Sequence, residues 1–225
     1  SYGTFATMFA LYYRDVQGGN GQFIDLSIYE PIFQLLGPQP MAYDQLGIIP
    51  ERMGNRSLNN APRNTYQTLD KHWVAISTNS PSIVRRVLTL CGGEDVANDP
   101  RFETPAGRVE FIDEVDGVVA NWISQHNLND VLEKFEEVEA AVGPVYNIAQ
   151  IFEDPQYIAR NDIINLNDED LGKIKMTAGF PFMSETPPEI RHAGPSKGKH
   201  NVEIYCKELK LKVEELDLLK EKGVI

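Results

Sequence analysis

SYGTFATMFALYYRDVQGGNGQFIDLSIY, residues 1–29, decides the fold. Phe5, Phe9, Tyr12 and Val16 recur at three- and four-residue steps, the spacing of one helix face. Gly18, Gly19, Asn20 and Gly21 end that helix, because glycine and asparagine tolerate the left-handed turn beyond a C-cap. Gln22–Ile28 then alternates, with Ile24, Leu26 and Ile28 on one face and Phe23, Asp25 and Ser27 on the other, which predicts a strand. Helix, glycine turn and strand make the second half of a doubly wound α/β unit. The chain opens on the helix, with no strand and no start methionine before it. On this reading it is the C-terminal part of a larger protein.

Composition narrows the function classes. A net charge of −12 and a pI near 4.8 argue against a nucleic-acid partner, which would want a basic face. No apolar run approaches the roughly 20 residues of a membrane span. Cys91 and Cys206 stand far apart without a CxxC, and Cys91 falls on an apolar helix face, as a buried thiol would. A reducing, cytoplasmic location fits. His72, His126, His192 and His200 lack metal-ligand spacing, so no metal is expected. No P-loop, GxGxxG or GxSxG is present.

Outward from the opening stretch, Glu30–Leu36 reads as a short helix stopped by Gly37-Pro38-Gln39-Pro40. Met41–Arg63 shows little periodicity and reads as a linker or functional crossover. Asn64–Ser77 predicts a hairpin turning at Leu69-Asp70-Lys71. Ser80-Pro81 caps a helix whose core face is Ile83, Val84, Val87, Leu88 and Cys91, ended by Gly92-Gly93. Thr104-Pro105 repeats the device, and one helix is expected from there through Val109, Ile112, Val115, Val119, Trp122 and Ile123. Leu128, Val131, Leu132 and Phe135 mark the next. Val142–Val145 is a short extended piece, and Asn147 and Asp154-Pro155 cap two short helices. Ile163–Leu166 and Lys173–Met176 predict a second hairpin. Gly179–Gly198 is a proline-rich strap, and His200–Leu209 and Val213–Lys222 are terminal helices. Trp73 and Trp122 are expected in the core, and Lys207–Lys222 on a solvated helical surface.

The residues after the first helix carry a resemblance. Arg14, Gly19, Gly21, Gln22, Asp25, Ser27, Tyr29 and Glu30 fit (R/K)xxxxGxGQxxDxSxYE, and the chain resembles the class III coenzyme A transferases. That family includes formyl-CoA and carnitine CoA transferases and alpha-methylacyl-CoA racemase. Later landmarks agree in order and spacing: Asn60–Ile76, Arg108, Gly143-Pro144-Val145, Asp154-Pro155-Gln156, Arg160, Pro187, Pro195, Gly198, His200 and Gly223-Val224-Ile225. Many family members have Asp-Gly where this hairpin turn has Asp70-Lys71.

The resemblance implies an α/β fold: part of a Rossmann-like large domain (residues 1–43), a linker (44–63), a smaller α/β domain (64–160), and a return strap with terminal helices on the large domain (161–225). It implies a homodimer of interlocked ring-shaped subunits. It also implies a ping-pong transfer of CoA between an acyl-CoA and a carboxylic acid, with the CoA thioester as substrate and no covalently bound cofactor. An aspartate attacks the thioester, giving a mixed anhydride and then an enzyme thioester. By this alignment the aspartate lies immediately before Ser1, and Ser1-Tyr2-Gly3 are its neighbours at a helix start, where free N–H groups stabilise an oxyanion. The 225 residues alone are then expected to be inactive. The bland alternative for Ser1–Gly3 is capping and packing.

Arg52, Gly54, Asn55, Arg56, Asn59, Asn60, Arg63 and Asn64 cluster in the linker. Among them Gly54, Asn55, Asn59, Asn60 and Arg63 are the candidates for holding an acceptor carboxylate or CoA. A solvated loop of Asn turns is the alternative. The long glycine-rich flap of formyl-CoA transferase is lacking here, which implies a different substrate branch. Ser80 falls where the racemase glutamate would stand; serine supplies no carboxylate base, which favours transferase over racemase. Ser80 also reads as a simple N-cap. Gly143-Pro144-Val145 is either a β-edge or a wall of the acyl pocket. A third reading is a non-catalytic binding or dimerisation subunit whose partner supplies the aspartate. The residue encoded before Ser1 separates it from the first.

Overall fold

The computed structural model describes residues 1–225. It divides into two compact units, Ser1–Asn59 and Asn60–Ile225. The division falls inside the span read as a linker, and residues 161–225 group with the second unit.

The first unit holds helices α1 (Tyr2–Asp15), α2 (Tyr29–Gln34) and α3 (Gln39–Leu46). α1 matches the expected periodicity and ends at Val16, followed by Gly18 at φ +70°. The expected strand over Gln22–Ile28 does not form. The segment is irregular and pairs with nothing, and Phe23 and Ile28 are 91% and 92% exposed. Alternation sets which side chains share a face, but a strand also needs a neighbour's N–H and C=O groups. No segment of these residues supplies them. The short helix stops before Gly37 as expected, but a further helix, α3, then occupies residues expected to be without periodicity. Pro40 sits in the first turn of α3, where a missing N–H costs nothing, and Gly47 at φ +68° ends that helix.

The second unit is built on a three-stranded antiparallel sheet, β1 (Arg63–Gln67), β2 (Trp73–Ser77) and β3 (Val142–Pro144), in the order β1-β2-β3. Arg63 pairs with Ser77, Tyr66 with Val74, and Ala75 with Gly143. Val74 and Ile76 point to the buried face, where Val119, Ile123, Val131 and Phe135 meet them. Those four come from α6 (Ile112–Ile123) and α7 (Leu128–Glu137). α4 (Pro81–Ala97) adds Val87 to this cluster, and Val84 and Leu88 to a second one with Phe102 and Val115. Burial of these aliphatic side chains stabilises the unit by about 1.5–3 kcal/mol each.

The expected caps hold. The Ser80 hydroxyl accepts from Ile83 N, Thr104 from Gly107 N, and Asn147 from Gln150 N. Asp154 accepts from Gln156 N and Tyr157 N. Two boundaries differ. Gly92-Gly93 kinks α4 instead of ending it, with Gly93 at φ +82°. The helix expected from Pro105 to Ile123 is two, α5 (Pro105–Glu110) and α6, broken at Phe111 (φ −102°, ψ 35°). Trp122 packs against the core, but Trp73 is 47% exposed, because it lies on the outward face of β2.

Beyond the sheet come α8 (Ile148–Glu153), α9 (Pro155–Ala159) and the hairpin of β4 (Ile163–Asp168) and β5 (Gly172–Thr177). The proline-rich strap has no regular structure. A π-helical turn (Val202–Glu208) and α10 (Val213–Glu221) follow, with Leu216 of α10 fully buried. No helix is long and apolar enough to cross a membrane.

Candidate functional site

Ser1, Tyr2 and Gly3 form the start of α1 as expected. The first helical bond runs from Phe5 N to Ser1 O at 2.9 Å, and no side chain caps the end. The first-turn N–H groups of a helix are the ones its own carbonyls do not satisfy, and they lie at the positive end of its macrodipole. A Cβ on Gly3 would meet only Leu26 Cδ2, at 3.6 Å. Packing does not require glycine there; open approach to the backbone is what its small size provides.

The linker candidates separate. Gly54, Asn55 and Asn59 belong to the first unit, and Asn60 and Arg63 to the second. Gly54 turns the chain at φ +66°, and Asn59 N donates to Ser57 Oγ at 3.2 Å. Asn60 is buried, and its amide is occupied at both ends. Its Nδ2 donates to Thr78 O and to Asn79 Oδ1, and its Oδ1 accepts from Arg108 Nη2 at 3.1 Å. Arg63 is exposed at the start of β1. Asn64 is also held inward, its Nδ2 donating to Asp116 Oδ2 at 2.9 Å.

Arg108 is the residue that sequence reading passed over, naming it only as a landmark. It is 1% exposed and the largest fully buried side chain. A signal was present: Arg108, Ile112, Val115 and Val119 follow helical steps, so the arginine sits on the apolar stripe. Burial lowers its pKa from the ordinary guanidinium value.

Ser80 is an N-cap, with its hydroxyl 2.8 Å from Ser82 Oγ. Gly143 and Pro144 pair with β2, which is the β-edge reading. A separate apolar cavity of about 540 Å³ opens among α8, α9 and the second hairpin, lined by Ile148, Ile151, Phe152, Ile163 and Phe180. None of the expected substrate residues lines it. No cluster of three or more His, Cys, Asp or Glu side chains could hold a metal.

Comparison with known proteins gives the class. Residues 1–201 match the model of CoA-transferase family III, and the chain belongs to that family. It is similar to a succinyl-CoA–D-citramalate CoA-transferase of Chloroflexus aurantiacus, at 36% identity over 99% of this chain and 56% of the relative. The succinyl-CoA–L-malate CoA-transferase beta subunit of the same organism is 31% identical, over 100% of this chain and 56% of the relative. Among solved structures, a CAIB/BAIF family protein from Brucella suis superposes with a TM-score of 0.71 at 26% identity, covering 92% of this chain and 53% of that one. The chain thus spans about half the length of the curated relatives it matches.

Proposed function

We propose that the protein containing this chain transfers CoA between an acyl-CoA and a free carboxylic acid, through an aspartyl anhydride and an aspartyl thioester. The observation that carries this reading is the family match, continuous from Ser1. Ser1, Tyr2 and Gly3, the residues matched to the nucleophile's neighbours, open α1.

The aspartate nucleophile stands immediately before Ser1. Its carboxylate attacks the thioester carbonyl carbon and CoA leaves as thiolate. The thiolate attacks the aspartyl carbonyl of the anhydride and releases the first acid. The acceptor acid then attacks the enzyme thioester, and CoA returns to take the new acyl group and free the aspartate. Each attack builds negative charge on a carbonyl oxygen, which the free first-turn N–H groups of α1 would stabilise. Arg63 supplies a cation for an anionic group of the substrates.

The relatives' names put succinyl-CoA with a hydroxy-dicarboxylic acid first among substrates to try. Full-length protein with succinyl-CoA and isotopically labelled succinate tests the reading. Label entering succinyl-CoA with ping-pong kinetics is the expected result. Rapid α-deuterium incorporation into a 2-methylacyl-CoA in deuterated water, without exchange between acids, would replace the transferase by a racemase.

A further inference from the structure

Arg108 is buried, and its partners are all neutral oxygens. Nε donates to Ala61 O at 2.8 Å, Nη1 to Phe102 O at 2.9 Å and Glu103 O at 3.2 Å, and Nη2 to Asn60 Oδ1 at 3.1 Å. Removing a cation from water is costly, and hydrogen bonds to carbonyl dipoles offset part of that cost. The bonds from Nε and Nη2 converge on one short segment, Asn60–Ala61. The same segment is gripped from the other side. Asn60 Nδ2 donates to Thr78 O, and Thr78 Oγ1 donates to Pro62 O at 2.9 Å. Ala61 itself is fully buried.

Arg63 comes next in the chain. It opens β1, pairs with Ser77, and is exposed. No ion pair or side-chain hydrogen bond holds its guanidinium. A free cation thus follows a segment held at each of the three preceding residues, through the Asn60 side chain and the Ala61 and Pro62 carbonyls. Preorganisation of this kind lowers the ordering cost of binding an anion.

We infer that Arg108 is a positioning residue, clamping Asn60–Ala61 so that Arg63 meets an oxyanion of the substrate from a fixed origin. The inference rests on the CoA-transferase reading. The oxyanion is a carboxylate of the free acid or a phosphate of CoA, and kinetics separate the two. Lysine at position 108 would keep the charge but not the planar fork that reaches four acceptors.

The test uses full-length protein with Arg108→Lys, Arg63→Gln and the double variant. Asn60→Ala serves as a second way to open the clamp should Arg108→Lys fail to fold. In Arg108→Lys, amide hydrogen exchange over residues 60–63 should accelerate about tenfold, as expected for losing hydrogen bonds to a charged group. The β4–β5 hairpin should keep its protection. In the succinyl-CoA/labelled-succinate assay both single variants should raise the same KM and leave kcat near the parent value. The double variant should be no worse than Arg63→Gln, because both act through one contact. A raised KM for succinate identifies the carboxylate, and a raised KM for succinyl-CoA the phosphate. Unchanged exchange over residues 60–63, effects that multiply in the double variant, or no effect of Arg63→Gln would overturn the inference. Absence of label transfer by the parent protein would instead reject the transferase reading, and amide exchange then decides the clamp alone.

Discussion

The Tyr66 hydroxyl donates to Asp116 Oδ1 at 2.7 Å, tying the middle of β1 to the buried face of α6. Asn64 Nδ2 donates to the other carboxylate oxygen at 2.9 Å. A carboxylate 5% exposed is thereby kept solvated by protein donors rather than water. Tyr66→Phe removes one donor and leaves the acceptor buried. We expect a loss of about 1–3 kcal/mol in urea unfolding. Loss below the error of the fit would mean that water reaches Asp116 and the bond adds nothing.

Asp70 links the first hairpin to α7. Its carboxylate accepts from the Thr68 hydroxyl at 2.5 Å and from Leu128 N at 3.2 Å, with His72 Nδ1 at 3.3 Å. These contacts, the Thr68 bond foremost, hold its pKa below the usual carboxylate range. A depressed folded pKa contributes stability above the unfolded pKa of about 3.9, and that contribution fades as pH falls through the folded value. The stability gap between the parent protein and Asp70→Asn should therefore be full near neutral pH and close below about pH 4. A gap that widens on acidification would have the wrong sign.

Lys71 occupies the left-handed region at φ +66°, where the hairpin turn favours glycine. Lys71→Gly relieves a strain of about 1–2 kcal/mol and returns part of it as chain entropy. A net gain in thermal stability is the expected outcome, read as a rise in Tm. A fall in Tm would show that the lysine contributes contacts beyond its backbone.

Cys91 is half-buried against the core, and desolvation there pushes its thiol up to about 12, so it carries almost no thiolate at pH 8. Alkylation by iodoacetamide, followed by peptide mapping, should leave Cys91 unmodified in the native protein and modified in denaturant. Equal modification in both states would contradict the burial.

The sequence was most readable where the physics is local. Ser80, Thr104, Asn147 and Asp154 satisfy N–H groups two or three residues away, so caps and the helices behind them were legible. The two hairpins carried their own partners and formed close to the expected limits. Gln22–Ile28 did not, because pairing depends on a neighbour that alternation cannot reveal. The break at Phe111 and the outward Trp73 were set by tertiary packing rather than periodicity. Among the site candidates, Asn60 was legible as a polar residue but not as a buried one. Its partner Arg108 is 48 positions away, and only the folded chain brings them together.

The central claim is a carboxylate nucleophile immediately ahead of α1. Hydroxylamine added to full-length protein during turnover with succinyl-CoA, followed by peptide mass mapping, tests it most directly. The account predicts a hydroxamate on an aspartate next to the SYGTF sequence, formed only when acyl-CoA is present. Turnover with no hydroxamate there, or a hydroxamate confined to another peptide, would contradict it.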